Sequence, residues 1–115
     1  FLNLNTVADY LRAGSNNVLV VCAGWKGKVN LEDTLFAGAL VELLKDNIEP
    51  DCDAPLMAQH LYNQGKHDMV SFLQNSSHVK RLARLNIHKD IAFCLTPDQY
   101  KVLPVLKEGI LKNLL

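Results

Sequence analysis

Five apolar residues stand in a row behind a turn-type asparagine pair in Asn16-Asn17-Val18-Leu19-Val20-Val21-Cys22. Three are valines, whose branched side chains suit a pleated surface, and polar residues do not alternate with them. The run therefore predicts a strand covered on both faces. Further on, Leu31, Leu35, Phe36, Ala39, Leu40, Leu43 and Leu44 recur at helical spacing, and Ala37 and Val41 widen the stripe. This predicts a helix opened by Asn30, ended by Lys45-Asp46-Asn47 and buried on more than one side. Gly38 sits in mid-helix, where it costs about 1 kcal/mol relative to alanine, so a close neighbour is expected there.

The remaining pattern is shorter-ranged. Residues 6–13 predict a helix capped by Asn5, with Val7, Tyr10 and Leu11 inward and Gly14 after its end. A turn-rich linker, 48–53, leads to a helix over 54–63 with Asp53 as its cap and Leu56, Met57, His60 and Leu61 as its packed stripe. Gly65 interrupts, and a short helix resumes over 68–74. Ser76 or Ser77 caps another over 79–85, whose outer side carries Lys80, Arg81 and Arg84. That basic side reads either as a solvated face or as an anion contact. Residues 90–95, Asp90-Ile91-Ala92-Phe93-Cys94-Leu95, read as a second apolar strand closed by Thr96-Pro97-Asp98. Residues 100–105 are extended, with Pro104 at an edge or a strand end. Glu108-Gly109 makes a turn, and Ile110-Leu111 forms a last strand or a frayed helix. The sum is one α/β domain over residues 1–115, a three-layer α/β/α arrangement with a mixed sheet, as part of a larger fold.

Composition narrows the class. The chain has 115 residues, 49% of them hydrophobic, enough for one core. Twelve basic residues balance twelve acidic ones, which argues against a general electrostatic grip on nucleic acid or an anionic membrane. No apolar run approaches the ~20 residues of a membrane span, and the residues from Phe1 do not form a signal-peptide pattern. The odd count of cysteines, Cys22, Cys52 and Cys94, predicts buried thiols in a reducing, cytoplasmic compartment. His60, His67, His78 and His88 lack the short spacing of a zinc site, and His60 is expected to be packed rather than catalytic. Phe1-Leu2-Asn3 opens the chain without an initiator Met or a polar lead-in, as a cut through a longer protein would.

Candidate chemistry gathers in the loop Ala23-Gly24-Trp25-Lys26-Gly27-Lys28-Val29 and just beyond it. Two glycines three apart permit positive φ and close backbone approach, and two lysines add positive charge. Ligands of open α/β sheets gather beyond strand carboxyl ends, where this loop falls. An ordinary strand-to-helix connection has the same spacing. Glu32 and Asp33 occupy the first helical turn, where the macrodipole favours each by roughly 0.3–1 kcal/mol and where Asp33 holds the capping-box position. The alternative makes them ligands of a hard cation such as Mg²⁺. There is no Walker loop, dinucleotide fingerprint or nucleophile elbow.

Taken in order, these segments resemble the C-terminal half of the 2-phosphosulfolactate phosphatase family. The likeness rests on Cys22-Ala23-Gly24 through Glu32-Asp33 to Ala37-Gly38, on residues 76–82, and on Asp90-Ile91-Ala92-Phe93-Cys94 leading to Pro104-Val105 and Gly109. Phe1-Leu2-Asn3 adds to it. Val79 and Asn86 depart from it, standing where the family tends to have glycine. The resemblance implies a Mg²⁺-dependent phosphatase that releases phosphate from 2-phosphosulfolactate, a step towards coenzyme M, in a protein about twice this length. It implies that Gly24, Gly27 and Lys28 meet the phosphate and that Glu32 and Asp33 hold metal or position water as the catalytic carboxylates. The partners implied are a small phosphorylated organic acid and an N-terminal half of the same protein, with no nucleic acid and no membrane; a homo-oligomer is left open. The 115 residues alone are then expected to be inactive. The alternative is a non-catalytic packing or association domain of a divergent homologue.

Overall fold

The computed structural model describes residues 1–85, 87 and 89–115. In chain order they form α1 (Leu4–Ala13), α2 (Leu31–Leu44), α3 (Asp53–Gly65), α4 (Met69–Leu73), α5 (Ser77–Ala83), α6 (Lys89–Cys94), β1 (Pro104–Lys107) and β2 (Ile110–Asn113). The expectations attached to Asn86 and His88 lie outside the described residues.

Helix α2 is the element against which the others pack. One side of it, through Ala39, Leu40 and Leu44, joins Leu4 and Ala8 of α1 in a buried cluster. The other side sends Leu35 into a second cluster with Leu73 and Leu95. A helix apolar over so wide an arc must be covered from several directions, and it is. Gly38 faces α3 so closely that an added Cβ would lie 2.0 Å from the Ala58 carbonyl oxygen. The close neighbour expected of that glycine is thus a helix backbone. The α2–α3 seam is completed by Glu42, whose carboxylate accepts from Gln59 at 2.8 Å, Asn63 at 3.0 Å and Lys45 at 2.9 Å.

This tight seam decides which side of α3 is buried. Small residues are needed where two backbones meet, so Ala58 and Gly65 turn inward. Leu56, Met57 and His60, expected as the packed stripe, are exposed instead. Gly65 is the last residue of α3 rather than a break before it, and a Cβ there would meet the Phe72 ring at 2.7 Å.

Helix α1 begins two residues earlier than predicted, and Asn5 is not its cap. The Asp98 carboxylate instead accepts from the Asn5 backbone N–H at 2.7 Å and from the Asn5 side-chain amide at 2.6 Å. Further bonds run from Asp98 N–H to the Phe1 carbonyl and from Tyr100 N–H to the Leu2 carbonyl, so the residues ahead of α1 are laced to residues 98–100. Short helices α4 and α5 are capped conventionally, Asp68 accepting from Ser71 N–H and Ser76 from Val79 N–H. Val79, noted for replacing a glycine, lies within α5 and packs on the Leu35 cluster.

The two predicted apolar strands do not form. Residues 17–22 carry no regular structure, with Leu19 87% and Val21 78% exposed. A strand needs a neighbour for its ladder, and no strand among the described residues lies beside this one. Residues 90–95 are mostly taken up by α6, where local bonds such as Leu95 N–H to the Ile91 carbonyl satisfy the backbone without a neighbour. A short apolar run cannot by itself distinguish the two outcomes. The described residues are therefore mixed helix and strand. Their sheet is one antiparallel hairpin, β1–β2, not the mixed sheet of a three-layer sandwich.

That hairpin follows the sequence. Pro104 opens β1, Ile110 begins β2, and Glu108 (φ 55°) with Gly109 (φ 76°) makes the two-residue turn. Positive φ at both central positions is the type I′ geometry that matches strand twist. The thiols of Cys22, Cys52 and Cys94 are free and exposed, not buried. Two of them were assigned to strand interiors, and those strands are the ones that do not form.

Candidate functional site

The loop ahead of α2 is a miniature hairpin. Trp25 N–H donates to the Lys28 carbonyl at 2.9 Å, and Lys28 N–H donates back to Trp25 at 3.0 Å. Lys26 (φ 50°) and Gly27 (φ 73°) are its central residues, again with positive φ at both. Gly24 (φ 63°) sits at its base, where a Cβ would lie 2.6 Å from the Lys28 carbonyl oxygen. Positive φ and close approach, predicted for this glycine pair, are both present at Gly24.

Asp33 fastens that base. Its Oδ2 accepts from the Gly24 N–H at 2.8 Å. The Asn30 side chain makes no cap bond, so the expected capping box is replaced by a bond from helix to loop. Both acids of the first turn line a cleft of about 410 Å³, with Cys22 from the loop side, Phe36 from α2 and Cys94 from α6. Partial burial, then the nearby Asp33 carboxylate, pushes the Cys22 thiol above its ordinary range. It is therefore held protonated, which disfavours a nucleophilic thiolate.

Glu32 turns towards α5. Its Oε1 lies 3.2 Å from His78 Nδ1, while its Oε2 is buried without a hydrogen-bond partner among the described residues. The same His78 Nδ1 is 2.6 Å from an Arg81 terminal nitrogen. One ring nitrogen serves only one of these at a time: protonated, it donates to Glu32; bare, it accepts from Arg81. The Arg81 guanidinium lies over the Trp25 ring, 4.3 Å from its centroid, and the Lys26 ammonium is 5.9 Å from the same ring. The structure thus joins Gly24 to Asp33, and Glu32 to α5 through His78. Gly27 and Lys28 shape the turn above them.

A buried carboxylate oxygen without a partner costs about 1–3 kcal/mol or more, a cost that a hard cation removes. Among the described residues no group of three or more His, Cys, Asp or Glu is placed to hold a metal. Protein oxygens available to a cation here are few. Mg²⁺ keeps most of its waters and asks for only one or two carboxylates, and Glu32 and Asp33 line the same cleft. The sequence pattern leaves Arg81 open to an anion contact but assigns no role to Trp25 or His78. The available signals were an indole inside a Gly-x-x-Gly turn and the three-residue spacing of His78 and Arg81, which puts both on one helical face.

Together these features define a mixed α/β chain with an acid-lined cleft flanked by a cationic turn. The 2-phosphosulpholactate phosphatase family matches it over residues 1–109, and the chain belongs to that family. A protein of Thermotoga petrophila named probable 2-phosphosulfolactate phosphatase is 39% identical over 110 residues, covering 96% of this chain and 47% of its own length. Proteins of the same name from Caldanaerobacter subterraneus subsp. tengcongensis and Gloeothece citriformis are 35% and 36% identical, over 97% and 96% of this chain and 47% and 48% of theirs. The chain spans about half the length of the curated relatives it matches. No helix among the described residues is long and apolar enough to cross a membrane.

Proposed function

We propose that the chain forms part of a Mg²⁺-dependent phosphatase acting on 2-phosphosulfolactate or a related small phosphorylated hydroxy acid, a reaction of the coenzyme M pathway type. The observation that carries this, within the family, is the buried, unpartnered Oε2 of Glu32 beside a cationic turn. Phosphoryl transfer asks mainly for positioning and charge neutralisation. Glu32 would hold the metal, with Asp33 beside it in the same cleft. When bound, the ion would supply compensation for phosphate charge. Asp33 fixes the base of the turn through Gly24, and Lys28 supplies a positive charge to the phosphate.

The 115 residues act together with the remainder of the parent protein and are inactive without it. The exposed apolar run at Leu19 and Val21 supports this: in the whole protein it becomes a strand of a three-layer α/β/α sandwich with a mixed sheet. Three free thiols fit a reducing, cytoplasmic setting. The same exposed run also favours the second reading, a domain kept only for association. Phosphate release with Mg²⁺ from 2-phosphosulfolactate decides between them. The parent protein is expected to turn over and the 115-residue chain not to. Turnover by the chain at the parent's rate would refute its dependence on the remainder. An inactive parent would leave the association reading.

A further inference from the structure

In the turn 25–28 and helix α5 the phosphatase reading gives a role to Lys28 but none of their own to Lys26 and Arg81. Arg81 lies over Trp25 at 4.3 Å and Lys26 approaches the same ring at 5.9 Å, with Lys28 closing the turn. The whole chain carries no net charge, so this concentration is local. Among the described residues Arg81 has no carboxylate partner; its hydrogen bond goes to His78 Nδ1. Glu32, the acid beside that histidine, is turned to His78 and not to the guanidinium.

A guanidinium has five N–H donors in a fixed fork, and one contact to a ring nitrogen leaves most of them unused. The indole beneath it restricts the side chain without neutralising it. Trp25 is itself 49% exposed, so the assembly can be reached from solvent. Two cations drawn to one ring repel each other, and a bound anion relieves that repulsion.

We propose that Arg81, held over Trp25, is an anion-binding residue that recognises an acidic group of the substrate other than the phosphate transferred, of the sulfonate type. The identity of that ligand rests on the phosphatase reading; the anion site itself does not. Arg81 would donate paired N–H bonds to two oxygens of the group, with Lys26 adding charge from the turn.

Trp25 is the single tryptophan of the chain and reports on this site directly. The test titrates the 115-residue chain with sulfate, chloride balancing the ionic strength, and reads Trp25 fluorescence and heat by calorimetry. A saturable response is expected. Arg81→Gln should weaken it by about tenfold or more, the loss of a charge-assisted pair. Arg84→Gln, which removes the same charge one turn on, should leave it within about twofold. No saturable signal by either method, or equal weakening by the two variants, would overturn the proposal. Should Arg81→Gln fail to fold, the wild-type titration still decides. Sulfate binding with an inactive parent protein would leave this site and remove the phosphatase reading; an active parent with no sulfate binding would do the reverse.

Discussion

Replacing Gly38 by alanine should destabilise the protein although alanine is the better helix former. The propensity term favours the variant by about 1 kcal/mol. Against it, the new Cβ would stand 2.0 Å from the Ala58 carbonyl oxygen and 2.9 Å from the Tyr62 Cβ. The oxygen belongs to helix α3's backbone and cannot rotate away, so α2 and α3 must separate by more than an ångström. That separation also pulls Glu42 from Gln59 and Asn63. Overpacking of this kind costs about 1–3 kcal/mol, occasionally more, and backbone contact puts Gly38 at the upper end. The net expectation is a loss of about 2 kcal/mol, seen as a fall of roughly 8 °C in Tm for a domain of this size. Urea unfolding followed by circular dichroism measures it. Gly14→Ala is the control: its Cβ meets nothing closer than 3.5 Å, and a change within about 0.5 kcal/mol is expected. A Gly38→Ala protein as stable as wild type would show that the seam yields, and would remove the account of that glycine.

Hydrogen bonds from Lys45, then Asn63 and Gln59, hold the Glu42 carboxyl down at about 2. A carboxyl lowered in the folded state contributes stability above its ordinary value and loses it as pH falls through the folded one. Wild type should therefore lose its advantage over Glu42→Gln between about pH 4.5 and about pH 2, by about 1 kcal/mol after solvent screening; a difference constant with pH would contradict this. Asp98→Ala removes the cap on α1 and should cost about 1–2 kcal/mol in thermal unfolding, while Asp98→Asn keeps an acceptor and should cost clearly less; equal losses would argue against a cap. In the parent protein, Glu32→Ala with Asp33→Ala should abolish phosphate release while changing stability by no more than about 1–2 kcal/mol, and retained activity would reduce both acids to a structural role.

What could be read from the sequence was what local chemistry decides. Asp68 and Ser76 announce short helices, Glu108-Gly109 announces its turn, and Gly38 announces a close neighbour. The wide apolar arc of α2 foretold burial on more than one side. Where a partner distant in sequence decides, the reading failed. Residues 17–22 have strand chemistry and no neighbouring strand among the described residues; residues 90–95 have the same apolar run and settle as α6. The stripe on α3 was assigned by hydrophobicity, but closeness to α2 selects for smallness, so Ala58 and Gly65 face inward. In the candidate site, the positive φ of Gly24 and the place of Glu32 and Asp33 in the first turn of α2 were legible because they are set locally. His78 and Arg81 were not, because their meeting with Glu32 and Trp25 joins segments some fifty residues apart.

Asp98 caps a helix that lies some ninety residues before it. On a ribosome, α1 emerges well before residue 98 and waits with the Asn5 N–H open to water until the carboxylate that receives it has been made. Early translation products should thus carry α1 only as a fluctuating turn. Its order is conferred late, by a carboxylate ninety-three positions downstream.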